Sequence, residues 1–191
     1  MKANDLIIGS YINFKNQFWK VLSKQHVKPG KGGAYIQTKL KSKKGTNLEQ
    51  RFSSSEDVET VMVVQKKYTI SYKEKNTVCL CDQETYEIFD ITDNDIEQKE
   101  FEYLEKLISN ETIILEFGNE ELMGIIFPKS LKVKITQADP VLKGQTASSS
   151  YKNAIIENNF SLLVPTYIKE NDMILIDLFG EKGITFLSKE N

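Results

Sequence analysis

Apolar and polar residues alternate strictly across 34–41. Ala34, Ile36, Thr38 and Leu40 fall on one side, and Tyr35, Gln37, Lys39 and Lys41 on the other. Successive side chains of a strand point to opposite faces, so this pattern predicts a strand with one buried face. An aromatic and β-branched run, Phe18-Trp19-Lys20-Val21-Leu22, lies upstream. Between the two stands Lys28-Pro29-Gly30-Lys31-Gly32-Gly33-Ala34. Two strands joined by a Gly/Pro loop make a β-hairpin, which places Lys31 at its tip. Further strands are predicted over 7–14, 48–53 and 58–64, punctuated by Gly9, Asn16-Gln17, Lys44-Gly45-Thr46 and Ser53-Ser54-Ser55. Five short strands in about 60 residues predict a small SH3-like barrel over 1–64, against which Phe52 can pack.

Beyond residue 64 the period changes once. Strands are predicted over 68–72, 77–82 and 86–91. From 95 to 109, apolar residues recur at Ile96, Phe101, Leu104, Leu107 and Ile108. Spacings of three and four predict an amphipathic helix, with Asp93 or Asp95 as its N-cap. Strands resume over 112–117 and 122–127, with Asn119 at the turn. Three strands, a helix and two strands is the order of an OB-fold, here over 65–127 with the helix as a barrel plug. Pro128 opens a third unit, 128–191. Its strands are predicted at 130–135, 154–156, 161–164, 173–178 and 184–187, and no helix of useful length appears. A polar connection over 143–150 interrupts it. The fold class expected is therefore all-β, three small barrels in series: an SH3-like barrel followed by two OB barrels.

Charge sharpens this picture. Residues 1–63 carry eleven basic and five acidic residues, a net of +6; the remainder carries 14 basic and 22 acidic residues, a net of −8. Lys24, Lys28, Lys31, Lys39, Lys41 and Lys43 flank or occupy the hairpin, with Tyr35 and Trp19 nearby. A basic hairpin with aromatic residues suits contact with an RNA backbone. No run approaches the length of a membrane span, and the apolar run Leu6-Ile7-Ile8 is too short for a signal peptide, so a cytoplasmic protein with no membrane partner is expected. Cys79 and Cys81 stand as C-x-C with no second pair to complete a zinc site, and read as buried residues in a reducing compartment. His26 is the single histidine, which excludes a multi-histidine metal site. No constellation of paired carboxylates, metal ligands or nucleophile and base has a spacing that supports catalysis. No metal and no cofactor is expected.

A lysine at a glycine tip has several readings. A phosphate-cradling P-loop fails, because it needs G-x-x-x-x-G-K-[ST] opening a helix, and the period after Gly33 is that of a strand. A solvated turn and a finger carrying an ammonium group into a narrow site on a large partner both remain.

Motifs elsewhere extend the pattern. They are Pro29-Gly30-Lys31-Gly32-Gly33-Ala34; Arg51-Phe52-Ser53-Ser54-Ser55; Cys81-Asp82-Gln83-Glu84-Thr85-Tyr86; Asp139-Pro140-Val141-Leu142-Lys143-Gly144; Thr146-Ala147; Tyr151-Lys152; and Val164-Pro165. In this order, across all three units, the chain resembles bacterial elongation factor P over its whole length. The resemblance implies a KOW-type first domain and a monomeric translation factor, not an enzyme. It implies binding to the ribosome between the P and exit sites and relief of stalling at consecutive prolines. The partners implied are ribosomal RNA, P-site peptidyl-tRNA, and a lysine-modifying enzyme acting on Lys31 at the tip. Lys28, Pro29, Gly30, Gly32, Gly33, Tyr35, Arg51, Gly144, Gln145 and Thr146 are the implied tRNA or ribosome contacts. The alternative is a general RNA-binding module of the same barrels without a proline-specific role. The chain departs from the family pattern in the third unit. Gly144-Gln145-Thr146 replaces a common Gly-Asp-Thr, Ser148 and Ser149 replace glycines, and Phe179 to Ile184 lacks the Thr-Gly-Glu-Tyr pattern. The paralogue like elongation factor P usually lacks a lysine at the tip, so Lys31 argues against it.

Overall fold

The alternation over 34–41 forms a strand whose Ile36, Thr38 and Leu40 are buried and whose Lys39 is exposed. The computed structural model describes residues 1–107, 111–140, 151–157, 159–180 and 183–190. Strands β1 (Tyr11–Phe14), β2 (Gln17–Val27), β3 (Tyr35–Ser42), β4 (Asn47–Ser53) and β5 (Glu59–Val61) make one sheet in the order β4-β3-β2-β1-β5. It curls around Leu6, Ile12, Trp19, Val21, Ile36, Leu40, Phe52 and Val58. Phe52 packs as expected, edge-on to Phe14 with ring centroids 5.5 Å apart. The Thr38 hydroxyl is satisfied within this core by donating to the Gln50 carbonyl at 3.0 Å.

Three boundaries differ from the expected ones, each for a local reason. The strand expected over 7–14 begins only at Tyr11, because Gly9 turns left-handed at φ +91° and leaves Ile7 and Ile8 exposed. The strand expected over 18–22 runs on to Val27. A bulge between Val21 and Ser23 turns Leu22 outward, and pairing with β3 continues to Val27↔Tyr35. Residues 23–27 show no apolar period because cross-strand backbone bonds, not a buried face, hold them. The run 58–64 divides between two sheets, with Met62 exposed at the crossing.

The second sheet takes β6 (Val64–Glu74), β7 (Thr77–Asp82), β8 (Ile88–Thr92), β9 (Thr112–Gly118) and β10 (Glu121–Ile126) in the order β10-β9-β6-β7-β8. Helix α1 (Gln98–Lys106) connects β8 to β9 and buries Phe101 and Leu104. It starts later than expected, and neither Asp93 nor Asp95 caps it. The Asp95 carboxylate instead accepts the Thr92 N–H at 2.8 Å and the Thr92 hydroxyl at 2.7 Å, closing the turn before the helix. Tyr86 is not strand but a left-handed turn residue at φ +61°. Asn119 and Glu120, at φ +50° and +66°, form the two-residue turn expected at Asn119.

The third sheet contains β11 (Leu131–Ala138), β12 (Tyr151–Ile156), β13 (Ser161–Pro165), β14 (Met173–Gly180) and β15 (Gly183–Lys189) in the order β13-β12-β11-β14-β15. Leu131, Val133 and Ile135 point inward and Lys132 and Lys134 outward. The fold is all-β, three five-stranded sheets following one another along the chain, two of them curled or barrel-like, as the expected series of small barrels requires. By packing, the first two sheets fall in one compact unit and the third in another. Among the described residues, no helix is long and apolar enough to cross a membrane.

The Cys81–Tyr86 motif has a structural explanation. Asp82 is buried, and its Oδ1 accepts the Glu84 N–H at 2.8 Å and the Thr85 N–H at 3.2 Å. The Glu84 N–H holds this carboxyl below its ordinary range despite burial, with help from Thr85, the Tyr68 hydroxyl and Lys66. A folded-state pKa below the unfolded one stabilises the fold above the ordinary carboxylate value of about 3.9, and the contribution disappears as pH falls through the folded value. Asp82→Asn is therefore expected to melt a few degrees lower than wild type at neutral pH. It should also lose stability less steeply below pH ~4, as thermal unfolding across the acid range will show.

Candidate nucleic-acid interface

β2 and β3 are the two arms of a finger. Their last register pair is Val27↔Tyr35, so residues 28–34 form the loop and Lys31 stands at its middle. Lys28 to Gly33 are all exposed. Among the described residues, Lys28 and Lys31 have no hydrogen-bond or ion-pair partner. The Ser54 N–H donates to the Ala34 carbonyl at 3.1 Å and anchors the loop at its base. His26 Nε2 lies 3.5 Å from the Ser54 hydroxyl on the same base.

The tip glycines differ in what requires them. Gly32 is left-handed at φ +100°, a conformation that costs other residues stability. A Cβ built on Gly30 or Gly33 would meet nothing within 4 Å. Neither packing nor a left-handed backbone therefore calls for glycine at these two positions. Elsewhere the chain does demand glycine. A Cβ on Gly118 would strike Val61 Cγ1 at 2.8 Å, and one on Gly124 would strike the Tyr11 hydroxyl.

Below the loop, Tyr35 and Arg51 come together on the outer face of β3 and β4. The Arg51 guanidinium lies 5.2 Å from the Tyr35 ring centroid, and its Nε donates to Gln37 Oε1 at 3.3 Å. Stacking and a hydrogen bond orient the guanidinium while leaving its other donors outward. Gly144, Gln145 and Thr146 lie outside the described residues.

The basic hairpin is less uniform than its composition. Lys24 donates to the Asn4 and Leu6 carbonyls at 3.0 and 2.8 Å. Lys39 lies 3.6 Å from Glu49. Lys41 is paired with Glu97 and Glu100. Of the six lysines that flank or occupy the hairpin, Lys24 and Lys41 are thus committed within the fold, while the Lys39–Glu49 pair is exposed and weak. Lys15, Lys43 and Lys44 sit at the β1–β2 and β3–β4 turns, at the opposite end of the sheet from the tip. The free positive charge at the loop end is thus concentrated in Lys28 and Lys31, with Arg51 just below them.

A second group of polar side chains lies at the root of the hairpin. Tyr11, Lys20, Gln65 and Glu116 form a polar cluster where the first sheet meets the second, with Tyr11 and Glu116 buried, Lys20 half-buried and Gln65 at the exposed edge. A signal was present, since Glu116 interrupts the apolar run Ile113-Ile114-Leu115 in β9 before Phe117. Among the described residues, no group of three or more His, Cys, Asp or Glu is placed to hold a metal ion.

Two family models match the chain. They are the elongation factor P KOW-like domain over residues 2–58 and the elongation factor P C-terminal domain over residues 131–181. Similar curated proteins carry the name elongation factor P. One from Chelativorans sp. (strain BNC1) is 37% identical over 180 residues, 93% of each chain. One from Brucella canis is 35% identical over 192 residues, covering 99% of this chain and 98% of the relative. Among solved structures, a eukaryotic translation initiation factor 5A from Methanococcus jannaschii superposes with a TM-score of 0.51 at 17% identity. It covers 66% of this chain and 92% of that one, a likeness of fold.

Proposed function

The chain belongs to the elongation factor P family, and from that premise we propose that its 28–34 loop is the working tip, with Lys31 as the group that reaches the reacting end of P-site peptidyl-tRNA. The protein is a translation elongation factor that acts on the ribosome, and relief of stalling at consecutive prolines is the family's role. The observation that carries the tip reading is the unpartnered Lys31 at the apex of a finger whose Gly30 and Gly33 the chain itself does not require.

Proline's ring fixes φ and makes it awkward to place for peptide transfer. Rescue by positioning needs no acid or base from the factor, only a correctly held tRNA end. A slender cationic tip suits a space lined by phosphates, and its charge gives contact without base specificity. Arg51, oriented by Tyr35 and Gln37 with its other donors outward, is the group further down the finger that would meet RNA backbone. Lys31 is also the site for an enzyme that lengthens lysine, since its amine is exposed and no group among the described residues competes for it. The protein works in the cytoplasm, as a monomer.

The test is cell-free synthesis of a peptide with three consecutive prolines, with and without this protein. Added protein is expected to restore full-length product, while a control message without prolines is unaffected. Failure of rescue both by recombinant protein and by protein purified from its own host would overturn the reading.

A further inference from the structure

The reach of a finger depends on what holds its root. Lys20 on β2 and Lys41 on β3 are register partners in neighbouring antiparallel strands. Like charges directly opposite on one face destabilise a sheet, so this pair needs a compensating partner. Each finds one on the second barrel. Lys20 Nζ lies 2.7 Å from Glu116 Oε2 on β9. Lys41 pairs with Glu97, just before α1, and at 3.3 Å with Glu100 in its first turn. Both arms of the finger are therefore tied, at one level, to carboxylates of the next barrel.

Glu116 is the centre of the tie. It is 5% exposed. Its Oε2 also accepts the Tyr11 hydroxyl at 2.8 Å, and its Oε1 accepts Gln65 Nε2 at 3.1 Å. Burial and then the Glu116 carboxylate push the Tyr11 hydroxyl far above its ordinary range, so it remains a donor. Lys20 and Tyr11 hold the Glu116 carboxyl below its own range against the effect of burial. Bare glycines permit the close approach: Gly124 beside the Tyr11 hydroxyl, Gly118 beside Val61, and Gly45 beside the Glu97 side chain. A partly buried ion cluster is weak as a source of stability, since apolar side chains of similar volume often serve as well. Its directional bonds do specify one arrangement of the two barrels.

We propose that Lys20, Lys41 and Glu116 are positioning residues, clamping the root of the finger to the central barrel and so setting where Lys31 can reach. This rests on the reading of Lys31 as the working tip. From Lys20 to Val27, β2 spans ~23 Å at about 3.3 Å per residue, so a looseness of about 10° at the root displaces the loop by ~4 Å. Misplacement by about 1 Å can cost ~100-fold in a reaction that depends on orientation. The clamp therefore acts on placement, not on contact with the ribosome.

The test uses Glu116→Gln, which keeps an oxygen for Tyr11 and removes the charge. Spin labels go on Gln25→Cys in the finger and Glu102→Cys in α1, both exposed, in a protein also carrying Cys79→Ala and Cys81→Ser. Without the Glu116 substitution, the inter-label distance should be narrowly distributed. Glu116→Gln should broaden it and cut triple-proline synthesis at saturating factor about tenfold, with the half-saturating concentration moving less than about twofold. An unbroadened distribution, or an undiminished saturating rate, would overturn the proposal. A merely structural role would instead lower the folded fraction and shift the half-saturating concentration. Should Glu116→Gln fail to fold, Lys20→Met with Lys41→Met carries the same expectations, because both side chains reach partly into solvent. If unlabelled wild-type protein, both recombinant and purified from its own host, also gives no rescue, the working-tip reading has failed, and the distances alone then judge the clamp.

Discussion

Lys31→Ala is expected to reduce triple-proline rescue by at least about tenfold at saturating factor, with no change in thermal midpoint. The two halves of this expectation come from the same fact. Lys31 is exposed and has no hydrogen-bond or ion-pair partner in the described protein, so its removal takes nothing from the fold. Surface substitutions of that kind stay within about 0.5 kcal/mol. Its contribution can only be made to something outside the chain. Calorimetry beside the translation assay separates the outcomes. Lost rescue with an unchanged midpoint places the residue at the functional contact. Full rescue by Lys31→Ala would show that the finger works through its backbone or through Lys28.

The second large effect is expected at positions with no side chain. Gly30→Val and Gly33→Val should leave the midpoint unchanged or slightly raised, since each added side chain meets open space and restricts the unfolded chain. Each should nevertheless lower rescue by an order of magnitude or more, because a thicker tip must enter the same space on the ribosome. Gly32→Val serves as the contrast. Its φ of +100° means that a β-branched side chain strains the loop itself, so some loss of stability is expected there. Equal rescue by wild type and Gly33→Val would show that slenderness at that position is not used.

Much of the fold could be read from local pattern. Alternation over 34–41 and spacings of three and four at Phe101 and Leu104 give β3 and α1 because both periods belong to the backbone itself. Other features could not be read this way. Residues 23–27 look like loop, yet they form half of the finger's arm, because pairing with β3 holds them without a buried face. Asp95 has the chemistry of a helix cap but spends its carboxylate on Thr92, since the chain turns before the helix begins.

The candidate site divides in the same manner. The loop, the lysine at its apex and the family to which the chain belongs follow from the order of residues alone, because turn chemistry and motif are properties of neighbours in sequence. Which lysines are free was decided only by the tertiary structure. Lys31 and Lys41 are alike in composition, yet one stands open at the tip while the other is bound to Glu97 and Glu100. Lys20 and Glu116 are 96 residues apart and meet only because two barrels pack there. Charge pairing acts through space, and no period along the chain encodes it.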